Sequence, residues 1–254
     1  MKNKVALVIP DTHIPYHDER AYDLMLKVAK DQKLDEIVLL GDFGEFQAVS
    51  THAKDPSFEK SLKKETNSVN KKLDELDTLF PKAKKVYIEG NHEYRLYRYI
   101  RDRAPELDGV FNWMDLLRLK ERKNWSWIPY GPDQKYAVLK SKLFARHEPA
   151  SGGAHAAALT IQKTGNSVIF GHIHRIQEYQ SVMLDGRCHR GITPGWLGDQ
   201  KHQVFDYVKG HHQWSLGFSI VTVLPDQSWY CQTVHIIVVK GVYRCVFGNK
   251  VYTN

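Results

Sequence analysis

The chain has 254 residues, 42% of them hydrophobic and 26% charged, which excludes a disordered or fibrous protein and leaves ample sequence to bury a core without a covalent staple. Its three cysteines, Cys188, Cys231 and Cys245, lie far apart and form no C-x-x-C, which argues against a disulfide framework and a cysteine zinc site and points to a reducing compartment. The net charge of +7 mildly favours an anionic partner, because a positive surface concentrates and steers polyanions.

In chain order, the first run is Val5-Ala6-Leu7-Val8-Ile9, read as a strand. It meets Pro10-Asp11-Thr12-His13 in place of a small-residue cleavage site, so it does not read as a signal peptide. Asp18 caps a helix carried by Ala21, Leu24, Val28 and Ala29. Ile37 to Leu40 is the second strand. Leu62, Val69, Leu73, Leu76 and Leu79 mark a longer helix stopped by Pro81, too short for a coiled coil and therefore expected to pack on a sheet. Val86 to Ile88 is the third strand, followed by a helix after Asn91 that must end before Pro105. Leu143 to Ala145 and Val168 to Phe170 complete the set, with a helix over Ala154 to Thr164 between them and Gly165 as its C-cap. These strands are continuous apolar runs, as expected of strands covered on both faces.

From Ile176 the pattern changes to hairpins. Asp185-Gly186, Pro225-Asp226 and Lys240-Gly241 separate strand-like runs such as Phe218 to Leu224 and Trp229 to Val239. No repeat or linker interrupts the chain, so residues 1–254 read as one domain. Its hairpin-rich part, from about 175, is expected to build a second sheet. The fold expected is α/β, an αββα sandwich of two stacked mixed sheets flanked by helices. No apolar run approaches the ~20 residues needed to span a bilayer, so the expectation is a cytoplasmic protein with no membrane partner.

Each strand of the front part ends in residues that can ligate a metal or move a proton. Asp11-x-His13 follows the first, Gly41-Asp42 the second and Gly90-Asn91-His92-Glu93 the third. Arg146-His147 follows the fourth and Gly171-His172-x-His174 the fifth. Ligands of open α/β sheets gather at the carboxyl ends of the strands, so five strands aim Asp, Asn and His side chains at one place. A mixed N/O donor set suits borderline divalent metals such as manganese, iron or zinc, not thiolate-seeking ones.

The order D-x-H, G-D, G-N-H-E, H, G-H-x-H resembles the signature of the calcineurin-like metallophosphoesterase superfamily, from Asp11 to His174. The resemblance implies two divalent ions, manganese first with iron or zinc as alternatives, and hydrolysis of phosphate esters by a hydroxide between them. By the same resemblance, Asp11, His13, Asp42 and His174 would hold the first metal. Asp42, Asn91, His147 and His172 would hold the second, with Asp42 as the bridge and His155 as the fallback for His147. His92 would be the general acid or would orient phosphoryl oxygens. The second Asp of the family's G-D-x-x-D, which orients that histidine, is here Glu45. Glu148 stands where the family often has Gly after the fourth-motif histidine, and no Asp-Arg-Gly follows Gly41-Asp42 as in the serine/threonine protein phosphatases.

Arg95 and Arg98, three apart on the helix after Asn91, are candidates to grip phosphate, and the tyrosines among them to stack on bases. A solvated basic helix face is the competing reading. Trp196, in a Thr193-Pro194-Gly195-Trp196 loop similar to one that many relatives place by the site, is a candidate platform, although buried tryptophan is commoner. Trp113, Trp125, Trp127, Trp214 and Trp229 are read as core or hairpin residues. His17, His52, His189, His202, His211, His212 and His235 are read as surface or supporting residues, with His17 and His202 the nearest to the site. The leading function is a phosphodiesterase acting on DNA, RNA or a nucleotide. A phosphomonoesterase is second, and a silent scaffold a distant third.

Overall fold

The computed structural model describes residues 2–51, 61–182, 186–206 and 213–254. His52, His211, His212 and Asp185 of the Asp185-Gly186 turn lie outside these residues. The front of the chain runs β1 (Lys4–Ile9), α1 (Glu19–Lys30), β2 (Glu36–Leu39), α2 (Leu62–Leu79), β3 (Lys84–Ile88), α3 (Tyr94–Arg103), α4 (Trp113–Leu116) and β4 (Trp125–Ile128). Then come β5 (Tyr136–Ala137), β6 (Leu143–Arg146), α5 (Ala156–Thr164), β7 (Ser167–Phe170), β8 (Ile176–Val182) and β9 (Cys188–Pro194). The chain closes with β10 (Gly217–Val223), β11 (Trp229–His235), β12 (Ile237–Val239), β13 (Val242–Phe247) and β14 (Lys250–Thr253).

Helix ends follow the local chemistry. Asp18 accepts the Ala21 N–H at 3.0 Å and opens α1. The α2 helix stops ahead of Phe80 and Pro81, α3 stops at Arg103, and Gly165 closes α5 with φ 61°.

A six-stranded sheet has the order β11-β10-β1-β2-β3-β4, with β1 to β4 parallel and β10 and β11 antiparallel. A five-stranded sheet has the order β5-β6-β7-β9-β8, with β6, β7 and β9 parallel. Both sheets are therefore mixed. The two-residue period of a strand sorts their side chains into separate cores. Ala6, Val8, Val38, Leu40, Val86 and Ile88 meet Leu143, Ala145, Ile169 and Ile192 between the sheets. The alternate residues Leu7, Ile9, Ile37, Leu39 and Tyr87 pack under Leu24, Met25, Val28, Val69, Leu73 and Leu76 of α1 and α2. On the far face of the second sheet, Val168 and Phe170 pack on Ala156 and Ala157 of α5. The layers run helix, sheet, sheet, helix.

The expectation that the region after 175 builds the second sheet is corrected by the pairing. Only β8 and β9 join that sheet, whereas β10 and β11 extend the first. The run Trp229 to Val239 is two strands, broken at the buried Ile236, and β12-β13-β14 is a separate three-stranded sheet. This small sheet docks on α1, where Tyr243 donates to Asp18 at 2.6 Å and Tyr252 to Asp31 at 2.9 Å. Hairpin signals give strand pairing between neighbours, but not which sheet a hairpin joins. Among the described residues no helix is long and apolar enough to cross a membrane.

Candidate metal centre

The ends of β1, β2 and β3 in one sheet and of β6 and β7 in the other meet at one edge of the sandwich. The N–H groups of Thr12 and His13 donate to Asp42 O at 3.0 and 2.9 Å, which ties the first two strand-end loops together. His172 N donates to both carboxylate oxygens of Asp11 at 2.8 and 3.0 Å, which ties the second sheet to the first. The turns are sharp. His13, Asp42, His172 and His174 have φ of 56°, 48°, 70° and 56°, a left-handed conformation that non-glycine residues adopt at a cost and that clusters at functional sites. Two glycines make room for the carboxylates. A Cβ on Gly90 would lie 2.1 Å from Asp42 Oδ1, and one on Gly171 would lie 2.3 Å from Asp11 Oδ2.

Beneath this edge Glu93 is fully buried. Its carboxylate accepts from Asp42 N (3.0 Å), Gly44 N (3.0 Å), Gly90 N (2.8 Å) and the Tyr87 hydroxyl (2.7 Å). Burial raises its pKa, and the charge of Asp42 adds to that, while the donated hydrogen bonds pull the other way. Glu93 stands in the G-N-H-E motif, but sequence reasoning gave it no role. The available signal was a carboxylate placed three residues after the Gly90 turn, where a side chain can reach back to free N–H groups.

Two sets of donor atoms converge above it. In the first, His13 Nε2 and His174 Nε2 are 3.0 Å apart and His174 Nε2 is 3.5 Å from Asp11 Oδ1. In the second, Asn91 Oδ1 lies 2.9 Å from both His147 Nε2 and His172 Nδ1, and His147 Nε2 is 3.3 Å from Asp42 Oδ2. Ligands held ~2.0–2.2 Å from a common ion stand about 2.9–3.5 Å from one another, so these spacings fit tetrahedral or octahedral coordination. The far nitrogens are satisfied as ligand histidines require. His147 Nδ1 is 2.8 Å from Leu40 O, and His13 Nδ1 is 2.7 Å from Glu45 Oε2. His174 is backed by the ring of Trp196, stacked at 4.7 Å and 14°.

The charges are balanced around buried carboxylates. Burial would raise the pKa of Asp42, but His147, His92 and His13 hold it well below the usual carboxylate range. Burial lowers His147, but the neighbouring Asp42 carboxylate outweighs this and pushes it up to about 10. Burial brings His174 down to about 4.

Glu45 has three partners where sequence reasoning gave it one. Its Oε2 is 3.0 Å from His92 Nδ1 as well as 2.7 Å from His13 Nδ1, and Oε1 takes Arg95 Nη1 at 2.8 Å. Despite burial, His92, Arg95 and His13 hold its carboxyl well below the usual range. Arg95 is buried, with its second guanidinium nitrogen, Nη2, 2.9 Å from His92 Nε2. This excludes the solvated-face reading for Arg95. Arg98 is half-buried one turn on.

Trp196 has no exposed surface and packs with Trp214 and Phe205 behind His174. That position corrects the reading of Trp196 as a substrate platform: it supports a candidate ligand. His155 is exposed at the start of α5 and is not in either donor set, whereas His147 is. His17 faces Glu19 at 2.5 Å and His202 packs on Tyr16, so neither joins the donor groups.

The calcineurin-like phosphoesterase family profile matches residues 5–176. The gene 54 protein of Mycobacterium phage D29 is 24% identical over 246 residues, spanning 87% of this chain and 89% of the phage protein. That of Mycobacterium phage L5 is 25% identical over 251 residues, with the same coverage. The crystal structure of Vps29 from Chaetomium thermophilum superimposes with a TM-score of 0.49 at 13% identity, covering 98% of this chain and 97% of that one.

The Glu93 hub has a direct test. Glu93→Gln puts an amide donor against N–H groups and leaves buried donors unpaired, so it should destabilise the fold by at least ~2 kcal/mol. Because Asp42 and Gly90 are both released, bound metal should fall too. Thermal melts and metal analysis of the folded fraction check this; an unchanged melting temperature with full metal content would remove the hub role.

Proposed function

The chain belongs to the calcineurin-like phosphoesterases, and from that premise we propose that it is a two-metal phosphodiesterase acting on nucleic acid or a nucleotide. That it is a metal-dependent hydrolase of phosphate esters follows from the family. The reading is carried by the convergence of Asp11, His13 and His174 on one side of Asp42 and of Asn91, His147 and His172 on the other. Asp11, His13, Asp42 and His174 would hold the first ion, and Asp42, Asn91, His147 and His172 the second. Two divalent ions held there, manganese foremost, would supply Lewis-acid polarisation of the phosphoryl group and a hydroxide near neutral pH.

His92 and Arg95 act beside them. A guanidinium only donates hydrogen bonds, so Arg95 Nη2 at 2.9 Å makes His92 Nε2 an acceptor in the free protein. Burial lowers the pKa of His92, so the ring rests neutral. A phosphoryl oxygen entering between Arg95 and His92 would take the Arg95 donor and free His92 Nε2 to take up a proton from solvent, with Glu45 steadying the imidazolium. His92 would then pass that proton to the leaving group. Glu45 orients the His92 ring through Nδ1 and steadies the first ion's ligand His13 through the same oxygen. Loss of Glu45 therefore reaches both the acid and the metal.

A diester of nucleic-acid type is supported by aromatic surface next to the centre. Tyr94, three residues after Asn91, packs on Tyr130 at 4.8 Å and on Tyr97 at 5.1 Å, and Tyr97 keeps 47% of its surface exposed. Such rings are sequence-tolerant seats for bases. The net charge of +7 and pI near 9.1 act in the same direction. Parallel hydrolysis of bis-p-nitrophenyl phosphate, p-nitrophenyl phosphate and labelled DNA and RNA oligonucleotides with added manganese tests the substrate class. Turnover of the monoester alone would replace the diester reading with a phosphatase.

Two variants test the roles. Asp42→Asn should abolish turnover and lower metal content more than His13→Ala, since Asp42 serves both ions; full activity after exhaustive chelation would overturn the two-metal mechanism. His92→Ala should keep both ions but lose ~10²–10⁴-fold in rate on poor leaving groups. The loss should shrink on nitrophenyl esters, whose leaving group needs no proton. A His92→Ala protein without metal would make His92 a ligand instead.

A further inference from the structure

Beside the candidate metal centre stands a carboxylate that the proposed chemistry does not use. Glu148 directly follows His147, and its Oε1 accepts the Tyr130 hydroxyl at 2.6 Å. Tyr130 is fixed in turn, because its N–H donates to Glu89 Oε2 at 2.9 Å and its ring packs on Tyr94. The pair connects to the centre at both ends, since Glu148 follows the candidate ligand His147 and Tyr130 packs on Tyr94, three residues after Asn91. Asn91, Glu148 and Tyr130 are half-buried and His172 is exposed, while Asp11, His13 and His147 are fully covered. The Tyr130 hydroxyl feels charges of both signs: burial, Glu148 and, to a smaller extent, Asp42 raise its pKa, while Arg98 lowers it.

A negative group fixed next to a candidate metal ligand needs a reason, since it opposes the approach of any phosphate. The opposition is not equal for all esters. A diester carries one negative charge at neutral pH, whereas a monoester carries close to two. Each added charge near Glu148 is repelled, so the dianion suffers more than the monoanion. A diester also brings a second organic group that a monoester lacks, and the run Tyr130–Tyr94–Tyr97 offers surface for it next to the same carboxylate.

We propose that Glu148, held by Tyr130, is a charge filter that selects phosphodiester monoanions over phosphomonoester dianions, with the second ester group lying along Tyr94 and Tyr97. The proposal deepens the phosphodiesterase reading and rests on it. The hydrogen bond from Tyr130 keeps the carboxylate in place beside His147 rather than leaving it to swing into solvent.

The experiment compares kcat/KM for p-nitrophenyl phosphate and bis-p-nitrophenyl phosphate, with manganese, in the wild type, Glu148→Gln and Glu148→Asp. Glu148→Gln keeps shape and removes charge, so the monoester-to-diester ratio should rise roughly three- to tenfold. The rise should shrink between about 0.05 and about 0.5 M salt, because screening weakens interactions between exposed charges. Glu148→Asp keeps the charge but is one methylene too short for Tyr130, so its ratio should fall between those of the wild type and Glu148→Gln. An unchanged ratio in metal-loaded Glu148→Gln, a rise independent of salt, or an Asp variant whose ratio rises above that of the Gln variant would overturn the filter. The wild-type ratio reports separately on the parent reading. A wild type that prefers the monoester removes the phosphodiesterase reading, whereas the change on substitution judges Glu148.

Discussion

The candidate site depends on a single buried carboxylate that faces away from it. Glu93 takes three backbone N–H groups and one hydroxyl, drawn from the loop after β2, the turn after β3 and the β3 strand itself. Two loops that sequence separates by some fifty positions are thereby held at one distance. Asp42 sits on one of them and Asn91 on the other, so the pair cannot drift apart without leaving donors unpaired in the interior. A buried polar hub of this kind is stable only when every member is satisfied. Asp42 completes it by accepting the His92 N–H at 2.9 Å through Oδ1, which leaves Oδ2 facing His147.

The layered fold supplies the rigid frame for that hub. Side chains of β1, β2 and β3 alternate between a core shared with the second sheet and a core under α1 and α2. A one-residue slip of any of these strands would exchange the two sets and also move its terminal ligand. Packing on both faces thus sets the register that aims Asp11, Asp42 and Asn91. Chemistry placed on strand ends inherits the precision of the core, while the irregular backbone at His13, Asp42, His172 and His174 turns each side chain through the last few ångströms.

Much of this was legible in the sequence, for a physical reason. Continuous β-branched runs identify strands buried on both sides, and in α/β sheets the residues just beyond them gather at one edge. Asp11, His13, Asp42, Asn91, His147, His172 and His174 could therefore be gathered as candidates from their position at strand ends, and the resemblance to the family divided them between two ions. What lay beyond reach were contacts set by tertiary packing. Glu93 and Glu45 are both acidic residues beside a motif, yet one closes a backbone hub and the other links His13, His92 and Arg95. Arg95 could be read from sequence either as a phosphate grip or as part of a solvated basic face, because its neighbours Tyr97, Arg98 and Tyr99 are polar or amphipathic. Its burial against Glu45 and His92 lay outside both readings. Trp196 has the right loop for a substrate contact, and only the position of Trp214 and Phe205 shows that it is enclosed. The destination of the C-terminal hairpins was equally hidden, because β12 to β14 are fixed by docking on α1 through Tyr243 and Tyr252, far away in sequence.

The donors of each coordination set come from both sheets: Asp11 and His13 with His174, Asp42 and Asn91 with His147 and His172. An ion bound there would join the two halves of the sandwich as a buckle joins the ends of a strap. Its binding energy is then also conformational stability, which grows with the logarithm of free metal above the dissociation constant. Such a protein would register the metal supply of its surroundings in how long it stays folded, quite apart from how fast it turns over substrate.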